Sequence, residues 1–157
     1  MGKIYVTRHV EFEAAHVLLG YKGRCGSLHG HSYKLEVTIS APEGVRCDHD
    51  FGFVMDFKEL DRILDEYIPD HCFITNTQNG EDTAEGQIVE ILKSNNMRIF
   101  YMDDSPSAEN MCEKFAYDIQ KILDDLSPYP EYLGYKVEEI KLWETTDSHA
   151  TWKRGTK

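Results

Sequence analysis

The chain carries no apolar run approaching the roughly 20 residues that span a bilayer. Its first residues, Met1-Gly2-Lys3-Ile4-Tyr5-Val6-Thr7-Arg8, lack the apolar core of a secretory signal. A soluble, cytoplasmic protein is therefore expected, with no membrane partner. Basic residues are scarce: 17 Lys and Arg stand against 28 Asp and Glu, for a formal net charge of -11. Binding to a phosphate backbone needs a basic face, so nucleic acid is excluded as the main partner. An anionic small molecule stays open wherever basic residues gather locally. Cysteine is sparse as well, with Cys25, Cys47, Cys72 and Cys112 among 157 residues. Without a secretory signal, these read as thiols and not as a disulfide framework. There is no internal repeat and no low-complexity tract. A single domain over 1–157 is the simplest reading, long enough to bury a real core.

What is present begins with alternation. Ile4, Val6, Val10 and Phe12 share a face over residues 3–12, with Arg8 the exception, and predict a half-buried strand that ends in Glu13-Ala14-Ala15-His16. Tyr33, Leu35, Val37 and Ile39 predict a second strand from about Ser32 to Ala41, broken by Pro42-Glu43-Gly44. Cys47-Asp48-His49-Asp50 reads as a hairpin loop and Phe51–Met55 as a short third strand. Asp56 caps a helix carrying Phe57, Leu60, Ile63, Leu64 and Tyr67, which Pro69 stops. Asp70-His71 and the residues through Asn76 read as a loop. Asp82-Thr83-Ala84-Glu85 opens a second helix with Ile88, Ile91 and Leu92, and Met97–Met102 follows as a strand. Pro106, just after Ser105, suits the first turn of a longer helix with Met111, Phe115, Ile119, Ile122 and Leu126, ending before Pro128. The last strand runs from about Tyr135 to Glu144. Its parity changes between Val137 and Ile140, which predicts a bulge.

The chemistry concentrates at Cys25-Gly26-Ser27-Leu28-His29-Gly30-His31. Side chains two apart on a strand share a face, so His29 and His31 can aim at one point. If the first two strands pair, His16 can join them. Three imidazoles around a divalent ion with a fourth position open is the pattern of a catalytic zinc site; Cys25 as the fourth ligand would close it. Left unligated, Cys25 can act as a base or nucleophile in its thiolate form, which nearby positive charge favours. Asp70-His71 reads either as a pair of turn residues or as a proton relay. Glu144, sharing parity with Ile140 and Leu142, is an inward carboxylate needing N–H partners. Lys22 and Arg24 flank the motif, as solvated surface charge or as an anion contact.

These stretches, together with Gly52-Phe53-Val54-Met55-Asp56-Phe57, Pro106-Ser107-Ala108-Glu109-Asn110 and Trp143-Glu144-Thr145, resemble the 6-pyruvoyltetrahydropterin synthase family. The Cys-x-x-x-His-Gly-His spacing is that of its bacterial 6-carboxytetrahydropterin synthase branch, of the queuosine and 7-deazaguanine pathway. The resemblance implies an α+β fold: an antiparallel four-stranded sheet with helices on one face. Subunits of such a fold join their sheets into a barrel, so a trimer-based homo-oligomer, a hexamer, is expected, with the active site between subunits. It implies Zn2+ on His16, His29 and His31, an acid-base set of Cys25, Asp70 and His71, and a pterin anchor at Glu144, with Glu109 and Ser107 in the same pocket. The implied substrate is 7,8-dihydroneopterin triphosphate, converted to 6-carboxy-5,6,7,8-tetrahydropterin, acetaldehyde and triphosphate. Lys22 and Arg24 are the expected triphosphate contacts. A pyruvoyl synthase and a non-catalytic zinc- or pterin-binding module are the competing readings. Ser148-His149 stands where a Ser-Tyr pair is more usual, and His149 is a candidate for tuning substrate choice.

Overall fold

The computed structural model describes residues 3–42, 52–126 and 134–155. The expected loop at Cys47–Asp50 and the connector Pro128-Tyr129-Pro130 lie outside those residues. Six strands form one mixed sheet: β1 (Tyr5–His16), β2 (His29–Ser40), β3 (Cys72–Asn76), β4 (Ile99–Met102), β5 (Lys136–Trp143) and β6 (His149–Lys153). Their spatial order is β4-β3-β1-β2-β5-β6. The run β1-β2-β5-β6 is antiparallel, whereas β3 pairs parallel with both β1 and β4. Three helices join them: α1 (Phe57–Tyr67), α2 (Ala84–Ser94) and α3 (Ala108–Asp125).

The expected four-stranded antiparallel sheet is thus corrected to six strands of mixed sense. Cys72–Asn76, expected as a loop, is a strand whose first four residues are all buried. A parallel strand covered on both faces shows no alternation to read. β6 was missed for the opposite reason: it is five residues long, half exposed, and joined to β5 by the short turn around Glu144–Ser148. The expected third strand does not form over the described part of its span. Phe53 makes an isolated bridge, and Gly52, at φ +75°, turns the chain so that Val54 and Met55 plug the core. The bulge in β5 is present, since Thr38 pairs with Glu139 but Ile39 with Val137, leaving Glu138 as the extra residue.

Helix starts follow their caps. Asp56 accepts the Lys58 N–H, Thr83 that of Gly86 and Ser107 that of Asn110. The last cap shifts the expected start of α3 past Pro106, leaving the Pro106 carbonyl free for another donor. α3 buries Met111, Cys112, Phe115, Ala116, Ile119 and Leu123 in the main core with α1 and the inward residues of β1, β2 and β5. α2 does not share that core. Val89 packs with Val17 and Phe73, flanked by Ala15 and Ile99, residues of opposite parity to Ala14, Ile74 and Phe100. Two helices therefore cover one face, and α2 covers the other face at the β3–β4 edge, in place of helices on one face only.

Candidate active site

The end of β1 and the start of β2 lie in register, with His16 opposite His29 and Ala14 opposite His31. Directly opposed residues share a face, so the three imidazoles project together on the α1/α3 side. Gly30 makes the approach feasible, because a Cβ there would sit 2.9 Å from the Ala14 carbonyl oxygen. One ring nitrogen of each histidine lies within 4.8 Å of the other two, and His16 Nε2 is 3.1 Å from His29 Nε2. His16 Nδ1 donates to the Pro106 carbonyl at 2.6 Å and His29 Nδ1 to the Ser27 carbonyl at 2.8 Å. A carbonyl only accepts, so both Nδ1 atoms carry the hydrogen and both Nε2 atoms present lone pairs. Two lone pairs that close repel unless a cation lies against both. His31 Nε2 is buried with no hydrogen-bond partner. Burial pushes the His16 and His31 imidazoles below their usual value, against the Pro106 hydrogen bond at His16 and the pull of Glu144 on both. Neutral imidazole is the metal-binding form. The donor set thus fits a divalent transition-metal ion.

Cys25 lies in a one-turn 3-10 helix, half-buried, and is not one of the three converging donors. Its loop is tied by Leu18 N–H to the Cys25 carbonyl at 2.9 Å. Gly26 permits this, since a Cβ there would fall 2.0 Å from the Tyr21 carbonyl oxygen. Cys25, Ser107, Glu109, Glu144 and His149 line one cleft of about 180 Å³. Glu144, in the turn after β5, holds Oε1 at 3.6 Å from His16 Nε2 and 3.5 Å from His31 Nε2. Lys22 and Arg24 are exposed beside the cleft loop and form no ion pair among the described residues.

Tyr33 belongs to the same cluster, and the sequence reading placed it only in the core. It is buried, its hydroxyl lies 3.3 Å from His16 Nε2, and its ring meets that of His31 at 5.3 Å. Burial, then Glu144, drive its phenol well above the ordinary range, so it stays protonated and can donate. Its position two residues beyond His31 was the available signal. The carbonyls of Ser27 and Pro106 had none, because backbone partners carry no residue-type signature.

Asp70 and His71 lie elsewhere. His71, at φ +54°, takes the Asp70 carboxylate on Nδ1 at 2.8 Å. The pair is pinned to β1, with Glu13 N–H donating to Asp70 Oδ1 at 2.9 Å and His71 N–H to the Glu13 carbonyl at 2.6 Å. The Glu13 and His71 bonds hold the Asp70 carboxyl below the usual carboxylate range. His71 lines a second hollow, about 390 Å³, with Glu13, Gly30, His31, Ser32 and Cys72 among its walls, so this hollow touches the histidine cluster. It shares no lining residue with the Cys25 cleft. Within one chain, the acid-base set is split in two.

The sequence profile of the family described as 6-pyruvoyl tetrahydropterin synthase matches residues 5–155. The chain belongs to the 6-pyruvoyl tetrahydropterin synthase family. It is 32% identical over 146 residues to the 6-carboxy-5,6,7,8-tetrahydropterin synthase of Haemophilus influenzae, covering 91% of this chain and 94% of that one. It is 35% identical over 133 residues to the enzyme of the same name from Aquifex aeolicus, covering 83% and 76%. The fold is shared with an uncharacterised protein of Wolinella succinogenes, with TM-score 0.70, 17% identity and coverage of 99% of this chain and 100% of that one. The 6-pyruvoyl tetrahydropterin synthase of Caenorhabditis elegans follows at TM-score 0.63 and 20% identity, covering 99% and 98%. The family match makes this chain an enzyme of the pterin synthase group. Among the described residues, no helix is long and apolar enough to cross a membrane.

Proposed function

We propose that the protein is a zinc-dependent 6-carboxytetrahydropterin synthase. It converts 7,8-dihydroneopterin triphosphate and water to 6-carboxy-5,6,7,8-tetrahydropterin, acetaldehyde and triphosphate, and serves 7-deazaguanine synthesis. The observation that carries this reading is the three-histidine cluster, with lone pairs already aimed, near a thiol that is not among the converging donors. The names of relatives aligned over nearly their whole length supply the substrate class.

His16, His29 and His31 would hold the ion, which supplies Lewis-acid polarisation of a substrate oxygen. Cys25, as thiolate, takes the proton from the adjoining side-chain carbon. Glu144 receives the paired N–H groups of the pterin edge, moving off the histidine nitrogens it now faces, and Glu109 and Ser107 complete that wall. Tyr33 holds the Glu144 side of the pocket by donating its hydroxyl hydrogen. Lys22 and Arg24, exposed next to Cys25 and in no ion pair among the described residues, meet the triphosphate despite the chain's net negative charge. Asp70 orients His71 for proton exchange. Because their hollow is separate from the Cys25 cleft, His71 would serve the Cys25 of a neighbouring subunit, in a homo-oligomer built on the barrel arrangement. The free edges suit this: β3 pairs with β1 only at Ala14 and Ala15, and β6 ends the sheet.

Incubation with dihydroneopterin triphosphate, followed by mass analysis with and without a chelator, tests the reading. Carboxypterin with acetaldehyde, abolished by the chelator, is expected. Pyruvoyl-tetrahydropterin would move the assignment to the pyruvoyl branch. Metal uptake without turnover would leave a binding module.

A further inference from the structure

The outer edge of β4 is one that the pterin chemistry does not use. β4 pairs along its whole length with β3, from Phe73 opposite Ile99 to Asn76 opposite Met102. Its other edge ends the sheet, and no described residue pairs with it. Open edges in soluble proteins are protected by charges, proline or a bulge. Ile99-Phe100-Tyr101-Met102 has none of these, and Tyr101 is 43% exposed on it. The charges stand just outside, with Arg98 before the strand and Asp104 after it, both exposed and neither in an ion pair with a described residue.

We infer that β4 is a docking edge for a second copy of this chain, paired antiparallel across a twofold axis. Copies joined into one continuous sheet about such an axis must run antiparallel, and only residues of like parity can face each other. The register centred on Tyr101 sets Tyr101 against its own copy and Phe100 against Met102. It also sets Arg98 against Asp104, once on each side of the axis. The register centred on Phe100 leaves Arg98 against Met102 and pairs no charges. Charge complementarity therefore selects both the partner, a second identical chain, and the register. Phe100, half-buried over Tyr67 and Phe115, would be covered from its open side. The contact is isologous and closes on itself, so the assembly holds an even number of chains. This inference does not depend on the pterin reading.

Solution mass, by light scattering on the full-length protein, tests it at low salt with Arg98→Glu, Asp104→Arg, the two combined, and Tyr101→Lys. Each single change is expected to halve the mass while leaving circular dichroism unchanged, and the combined charge exchange to restore it. An odd chain count in the wild type, an unchanged mass in the single variants, or no recovery in the combined variant overturns the proposal. Tyr101→Lys keeps the test valid if a charge variant fails to fold.

Discussion

His16 is 1% exposed, while the His71 side chain is 73% exposed, and the two regions around them are built on different terms. The first is closed: backbone carbonyls fix the tautomers, Tyr33 and Glu144 close the surround, and every group comes from one chain. The second is open: its acid and imidazole are pinned only to the Glu13 backbone and face a hollow that Cys72 and His31 line but Cys25 does not. A metal centre of the proposed kind must have its donors desolvated in advance, which suits assembly within the subunit. The proposed relay needs only to be presented, so a neighbouring subunit can complete it.

The largest expected effect strikes the closed region. His29→Ala should abolish stoichiometric metal binding, read by elemental analysis, and activity with it, because a catalytic site needs three protein ligands. Retained metal would mean that the centre is not built on these three. Cys25→Ala should lower turnover by roughly 10²–10⁴-fold, the usual worth of a positioned acid or base, with metal content unchanged. Loss of metal instead would make Cys25 a ligand. His71→Ala should fall in the same range. Co-expressing His71→Ala with Cys25→Ala should recover part of the wild-type rate, because mixed assemblies bring one intact Cys25 to one intact His71. No recovery would place the relay within one chain. Asp70→Asn should cost less, about 10- to 100-fold, as for groups that orient a functional imidazole.

The smallest effect is on stability against pH, and it separates the regions by window. Burial lowers His16 and His31 in the folded protein, so the unfolded chain binds more protons just below about pH 6.5. The metal-free protein should therefore lose thermal stability as pH falls from about 7 toward 5. Asp70 is also held low, by Glu13 and His71, but its contribution persists above about pH 3.9 and is lost only as pH falls through its lower folded value. Thermal unfolding in chelator should show the first loss flattened in His16→Phe and the second in Asp70→Asn. A single coincident transition would mean that the two regions are not separate.

The closed region was largely legible. His29 and His31 at spacing two, with His16 at the end of a pairing strand, need only strand parity to converge, and the register bears this out. Glu144 was legible as inward-facing for the same reason. The shape around it was less so. β3 hides on both faces, so Cys72 to Thr75 show no period. α2 crosses to the far face because Phe73 and Ile99 point there, which local amphipathicity cannot reveal. Ile91, an expected member of the α2 stripe, is 62% exposed. A helix pattern names a face but not what will cover it.

By itself, then, the sequence determined the convergence of His16, His29 and His31, because a strand's two-residue period carries side-chain direction through any fold that pairs the strands. It also determined the helix starts at Asp56 and Thr83, where a side-chain oxygen satisfies an amide a few residues away. Only the tertiary structure decided that Pro106 and Ser27 set the histidine tautomers, that Cys25 is not among the converging donors, and that His71 opens into a hollow that Cys25 does not line. Those outcomes depend on backbone groups brought together across the chain, from as far apart as His16 and Pro106, and residue type at either end says nothing about such a meeting.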